Sequence, residues 1–419
     1  MPRSSVYPPD LARYVEAHWP AATPLSLPSA LLEDALAAAF QASLMVEEAR
    51  ATRFRLLLTS PEQLPDAGTP NQGVLRLKFD HGRPLYADEL RRLAPAVPFE
   101  TALIGAHAEH GKLRIWGVAH SGPAWLAPTW GGRSIVPNWT YDPIIHVTGP
   151  GQLAVRCAGQ LIGALERGLV VDAALDVFDS NWLRALFARE RQVIQEEHAA
   201  LQAQVASRTS VEPSLIGKVA QQMLRRAIQL VRGARHGGLI LIVDTAGGTE
   251  RPLRGLRLKY SFTQDEPSHR YRTLLFQIVE AVASVTAKDS VGWLDFASNQ
   301  SVRFEELEQA LFEHSRVLAN LTAIDGALVL DKRFDVLGFG AEVSAELPTP
   351  ERVWRAVDAE AQVRKPEEIE NVGTRHRAAY RFVNDHPDGL AVVVSQDGAV
   401  SFVANREGRV VFWEQSVSP

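Results

Sequence analysis

The sequence predicts an α/β protein with more than one domain: a C-terminal mixed sheet flanked by helices, preceded by a separate α+β domain and a connecting helix. Three observations carry this. The chain has 419 residues, more than one hydrophobic core usually serves. Short apolar runs suited to strands are interleaved with apolar repeats at helical spacing in both halves. Between Ser180 and Arg208 the pattern thins to a narrow apolar stripe on a polar, Gln-rich background. The expected division is 1–179, a connecting segment over 180–210, and 211–419.

Composition bounds the function. A content of 46% hydrophobic and 22% charged residues is that of an ordinary globular protein. The net charge of −5 argues against general nucleic-acid binding, though a local basic pocket remains compatible with it. One cysteine, Cys157, excludes an internal disulfide framework and any Cys-rich zinc site, and it fits a reducing compartment. Met1-Pro2-Arg3-Ser4-Ser5 opens no apolar signal core, and no run approaches the roughly 18 apolar residues of a membrane span. The expectation is a cytoplasmic protein without a membrane partner.

Helices are expected over Pro8–His18 and Leu31–Ala51, the second with Leu32, Leu36, Phe40 and Leu44 at helical spacing. Strands follow at Arg53–Leu58, Val74–Phe79, Thr101–His107, Leu113–Ala119, Ile144–Thr148 and Gln152–Cys157, with a turn at Glu109–Lys112. The loop from Ser121 through Trp125, Gly131, Gly132 and Arg133 to Trp139 and Tyr141 is dense in Trp, Pro and Gly. Aromatic faces around its one guanidinium suit a planar or anionic small ligand, and equally a satellite core closed over a Pro-Gly loop. His146 sits in an apolar strand as a core histidine would, and His107, His110 and His120 follow no zinc spacing. Ser180-Asn181 caps the connecting helix, whose stripe includes Leu183, Leu186, Phe187, Ile194, Leu201 and Val205. That stripe suits a stalk or short coiled-coil seam, or a helix packed on its own domain.

The C-terminal block opens with a helix over Leu215–Arg232 and a strand over Leu239–Val243, with a further strand at Leu256–Leu258. Helices are expected over Tyr271–Thr286 and Phe304–Leu321, with Val291–Phe296 between them as a strand or loop. A hairpin joins Gly326–Leu330 to Val336–Phe339, and Thr349–Glu360 reads as a short helix. Strands at Leu390–Val394 and Val400–Ala404 pair through Gln396-Asp397-Gly398, and Val410–Trp413 adds an edge strand.

Two segments carry chemistry. Gly373-Thr374 suits a helix start, Thr374 as N-cap, and the first turn then holds Arg375, His376 and Arg377. Like charges at the positive end of a helix are costly for the helix alone, and useful to a phosphate site. A solvated basic turn has the same pattern. Upstream, the strand-like run Leu321–Leu330 sets Asp325 beside Gly326 and Ala327. Small neighbours let a bulky ligand approach a carboxylate that holds a metal or a ribose hydroxyl; an Asp-Gly hairpin is the other reading.

Asp325-Gly326-Ala327 followed by Gly373-Thr374-Arg375-His376-Arg377 resembles the paired motifs of the diadenylate cyclase domain family. Gly237-Gly238 with the strand to Val243 is similar to that family's opening strand, and Ala391–Phe402 to its closing strands. The resemblance covers roughly the C-terminal half. It implies condensation of two ATP into cyclic di-AMP with release of pyrophosphate, dependent on Mg²⁺ or Mn²⁺. Asp325 would hold the metal near the attacking hydroxyl, with Gly326 and Ala327 admitting ribose and adenine. Thr374, Arg375, His376 and Arg377 would grip the triphosphate. Asp397, in the Ser395-Gln396-Asp397 turn, stands where relatives place a second metal-binding acid, or serves a plain hairpin. A symmetric product requires two such domains to face one another in an at least transient homodimer. The N-terminal domain would then be a sensor of an unknown small ligand. The alternative is a catalytically silent module that reads ATP or cyclic di-AMP. DNA scanning, known in one type of cyclase, lacks any matching DNA-binding motif here.

Overall fold

A computed structural model describes residues 6–48, 50–64, 74–133, 140–166, 168–171, 175–204, 210–246, 248, 253–263, 266–285, 288–369 and 372–415. They fall into two compact units, one within 1–127 and 135–174, the other within 128–134 and 175–417. Both are mixed α/β structures.

The first unit contains α1 (Pro8–His18), α2 (Ser29–Ser43) and α3 (Ala87–Leu93). Its strands are β1 (Phe54–Leu58), β2 (Leu75–Pro84), β3 (Ala102–Glu109), β4 (Lys112–His120), β5 (Ile144–Gly149), β6 (Gln152–Cys157), β7 (Gln160–Glu166) and β8 (Leu169–Val171). They form one sheet in the order β8-β7-β6-β5-β1-β3-β4-β2. Phe54, Leu56 and Leu58 of β1 pack on the helices with Ile104 and Ile145, while Leu57 faces the other way with Leu103 and Trp116. This is the period-two alternation of a strand covered on both faces. Helix α2 stops at Ser43, short of the Ala51 expected. Leu44 closes it by donating its N–H to Ala42 and Gln41, and Val46–Glu47 pairs with Arg50–Ala51 beyond it.

In the second unit the expected connecting helix is two helices, α4 (Asn181–Leu186) and α5 (Ala188–Gln204). Ser180 caps the first, its Oγ accepting from the N–H of Leu183. Trp182, Leu183 and Ile194 join the main core of this unit, and Trp182 stacks on Trp413 with ring centroids 4.3 Å apart. Val205 lies outside the described residues. Next come α6 (Pro213–Ala234), β9 (Gly238–Val243), α7 (Arg270–Val285), α8 (Trp293–Ser298), α9 (Val302–Leu321), β10 (Ala327–Asp331) and β11 (Val336–Val343). The rest is β12 (Val353–Ala356), β13 (Arg364–Glu367), α10 (Thr374–Asp385), β14 (Leu390–Val394), β15 (Val400–Arg406) and β16 (Arg409–Gln415).

The strand order is β11-β10-β9-β14-β15-β16-β12-β13, with the short segments Leu256–Arg257 and Tyr260–Ser261 pairing outside β11. One face carries Ile240, Ile242, Leu328, Leu330, Val392 and Trp413 and packs against α6, α7 and α9. The other carries Leu239, Leu241, Val329, Val393 and Phe412 and receives Ala379, Phe382 and Val383 of α10.

Several sequence expectations give way here. Thr349–Glu360 is not a helix. Val353–Ala356 is a strand, and Asp358 accepts backbone N–H groups from Glu360, Gln362 and Val363 to turn the chain into β13. The β-branched and aromatic Val353-Trp354 pair favours that outcome. The expected edge strand Val410–Trp413 is interior, with β15 on one side and β12 on the other. Val291–Phe296 divides into the strand Ser290–Val291 and helix α8. Among the described residues no helix is long and apolar enough to cross a membrane.

His314, 6% exposed on α9, lines up with the Tyr271 ring, and burial pulls its pKa down to about 4. An unfolded chain regains the ordinary value, so it takes up the proton first as pH falls. Stability from this site is therefore full above about pH 6.5 and is lost progressively toward pH 4, on the order of 3 kcal/mol in all. His314→Gln should flatten the pH dependence of the urea midpoint in that window; an unchanged slope would contradict the assignment.

Candidate functional site

The central strand β9 fixes the site. It runs parallel to β10, with Ile240 opposite Leu328 and Val243 opposite Asp331. On its other side it is antiparallel to β14, with Gly238 opposite Val394 and Ile242 opposite Leu390. The beginnings of β9 and β10 and the end of β14 thus share one end of the sheet. There the loop before β9, the turn before β10 and the β14–β15 turn come together.

Asp325 sits in that second turn. The sequence suggested a strand from Leu321, but α9 continues to Leu321 and closes as Thr322 donates its N–H and its hydroxyl to Ala319. The strand begins only at Ala327, so Asp325 precedes it and is exposed. Its carboxylate has no hydrogen-bond or ion-pair partner among the described residues. Gly326 has φ +117°, and a Cβ there would stand 2.5 Å from the backbone carbon of Gly340. Its lack of bulk admits β11, and Ala327, 1% exposed, belongs to the core. These two residues seat the turn that carries Asp325.

The helix tip approaches from the other motif. Gly373, not Thr374, occupies the N-cap of α10, and among the described residues no side chain caps the first-turn N–H groups. They remain open to an anion. The Arg375 guanidinium crosses to the loop before β9, where Nη2 donates to the carbonyl of His236 at 3.1 Å. A Cβ on Gly237, which has φ +67°, would lie 2.8 Å from Arg375 Nη1. Gly238 in turn adjoins Thr322, 3.0 Å from where its Cβ would stand. Arg375 and the turn that leads to Asp325 are therefore linked through Gly237-Gly238. Thr374 and Arg377 are exposed. His376 is half-buried with Nε2 3.4 Å from Ser401 Oγ. Burial holds its pKa below the usual range, against the pull of Asp397 and Glu414, so the ring is neutral at pH 7.

Asp397 belongs to the β14–β15 turn, and its Oδ1 accepts the Ala399 N–H at 3.1 Å, the bond of an Asp-Gly hairpin. Arg232 braces the same turn through Nε to the Gly398 carbonyl at 2.8 Å. Sequence reading missed Arg232 and Ser401, since α6 shows only an amphipathic pattern and Ser401 only an alternating strand. Among the described residues no group of three or more His, Cys, Asp or Glu is placed to hold a metal. A divalent ion fits in one way. Asp325 offers unpaired hard oxygens, and a nucleotide's phosphates would complete the shell, as Mg²⁺ commonly requires.

The aromatic loop is divided. Residues 128–133 lie in the second unit, where Arg133 meets Glu308 through Nε at 2.9 Å. Its charge is satisfied there, which removes it from an aromatic ligand site in the first unit. Trp125 is faced instead by Arg55 at 4.0 Å, with His146 edge-on at 5.0 Å. Arg55 is 1% exposed, bonds Ser121 Oγ at 3.1 Å, and is drawn down to about 9 by burial. Nothing in the Arg53–Leu58 run had marked it. Trp139 lies outside the described residues.

With this geometry in hand, comparison adds one finding. Residues 23–120 match a family whose description is "Probable sensor domain DACNV". The matched stretch lies in the first unit, running from before α2 to the end of β4. The match does not extend over the second unit. No curated protein matches the chain.

Gly326→Val should destabilise the second unit by about 1–3 kcal/mol or more through left-handed strain and overlap with Gly340. Circular dichroism against urea would measure it, and a parental midpoint would refute the packing role.

Proposed function

We propose that the second unit is a diadenylate cyclase that joins two ATP molecules into cyclic di-AMP and releases two pyrophosphates. One observation supports this most. The Asp325 turn and the uncapped Arg375–Arg377 helix tip, distant in sequence, share one sheet end and are linked through Gly237-Gly238. Each ring closure needs a 3′-hydroxyl to displace pyrophosphate from an α-phosphate. Asp325, unpaired and exposed, takes the hydroxyl end. Arg375, Arg377, the Thr374 hydroxyl and the open N–H groups of α10 hold the phosphates. Neutral His376 supplies a hydrogen bond without adding charge. A Mg²⁺ or Mn²⁺ at Asp325 would offset charge on the nucleotide. Because the product is symmetric, two copies of the site face one another during turnover, each hydroxyl opposite the other's α-phosphate. In this reading the first unit is the sensor that governs that opposition.

Purified protein with ATP and either metal should yield cyclic di-AMP on chromatography. Asp325→Asn should lower the rate about 10²-fold or more with the fold intact. Arg375→Ala should chiefly weaken ATP retention, by roughly 10–100-fold. ATP binding without product would instead mark a silent nucleotide-binding module, and an Asp325→Asn rate equal to the parent would refute the assignment.

The sensor role has its own test. The cut belongs before Leu175, because Asp176 holds Arg225 Nη2 at 2.5 Å and Gln415 Nε2 at 3.0 Å within the second unit. Removing residues 1–174 should change the cyclisation rate or its response to conditions. Identical rates under every condition would end the sensor reading.

A further inference from the structure

A second site lies within the second unit, on the helical side of the sheet. A cavity of about 390 Å³ is walled by α4, α5, α6, α7 and the turn Lys332–Phe334. That volume is in the range of small-molecule sites, roughly 300–1,000 Å³. Leu183, Phe187, Ile194, Leu224, Leu275 and Phe334 line it with hydrocarbon. Arg184, Arg191, Lys218 and Arg333 also line it, and none has an ion-pair partner among the described residues. Glu190 is the one acid of the lining among the described residues, and Lys332 is engaged with Asp244 at 2.8 Å.

Two further features of the walls are unbalanced. The Tyr271 hydroxyl, on a residue 2% exposed, and Gln221 Nε2 are buried without a hydrogen-bond partner among the described residues. A buried polar group left this way is destabilising. Desolvation also depresses the pKa of Lys218 and Arg191, and it prevails although Asp179 and Asp176 act against it at Lys218 and Glu190 at Arg191. Both groups, and the cations beside them, are of the kind that a polar ligand head would pair with. Hydrocarbon walls disfavour a nucleoside triphosphate, and the excess of cations disfavours a cation.

We propose that this cavity binds a small amphipathic acid, an apolar chain with a single carboxylate. The chain lies among Leu183, Ile194, Leu275 and Phe334, and the carboxylate meets Arg184, Arg191 and Lys218. Binding ties the connecting helices α4 and α5 to α6 and α7. This site is separate from the nucleotide reading and does not rest on it.

The test uses the full chain and dodecanoate below its micelle concentration, followed by isothermal titration calorimetry. Dodecanoate should bind saturably with one equivalent per chain, and dodecyltrimethylammonium should not. Arg191→Ala with Lys218→Ala should weaken dodecanoate at least tenfold while leaving ATP retention at the parental level. Ala220→Phe, which fills the cavity from α6, should abolish binding with the melting temperature preserved. Should Ala220→Phe fail to fold, the double variant and the cationic analogue decide. Equal binding of the two amphiphiles, no saturable dodecanoate binding, or full affinity in the double variant would each overturn the proposal.

Discussion

The parallel pairing of β9 with β10 is the constraint on which the candidate site depends. It is one of two parallel contacts among the described strands of a largely antiparallel sheet, and it forces a long helical crossover, α7 through α9, between the two strands. The crossover returns the chain to the end where β9 began, so the turn bearing Asp325 emerges beside Gly237. Antiparallel β14 then brings its far end, with Ser395–Ala399, to the same place. In open α/β sheets ligands usually sit beyond the carboxyl ends of the parallel strands. Here that end of β10 is closed by its own chemistry. Asp331 is buried and accepts from Thr245, Arg333 and Asp335, which uses up the groups a ligand would need. Burial and neighbouring Asp335 raise its pKa.

Much of this was legible in the sequence, and the reasons differ by element. The runs Leu239–Val243 and Leu390–Val394 are covered on both faces, so they appear as unbroken apolar stretches, and length and β-branching identify them. The α10 start was legible because Gly373 and the cations after it stand out, although the cap fell on Gly373. The turn before β10 was not legible. Helix α9 ends in Ala319-Asn320-Leu321, the strand opens at Ala327, and the residues between are apolar enough to merge them into one run. The region after Thr349 misled for a different reason. The three backbone bonds accepted by Asp358 are a local device that overrides helix-like spacing, and no periodicity reports it.

Charged residues tell a similar story. Arg133 drew notice because it was alone in an aromatic loop, yet Glu308, far along the chain, is what it meets. Arg55 was invisible inside a strand, yet it is the cation buried against Trp125. Sequence shows that a charge exists. Which opposite charge or ring it finds depends on contacts between distant segments.

The sheet's outer boundary carries one more consequence. Strand β13 is Arg364-Lys365-Pro366-Glu367, and it closes the order beyond β12. Three formal charges and a residue with no amide proton make a poor template for another chain's backbone. Growth of the sheet from that rim is blocked, so self-association there cannot run by strand addition. The face-to-face pairing proposed for turnover would use a different surface, the sheet end where Asp325 and α10 emerge.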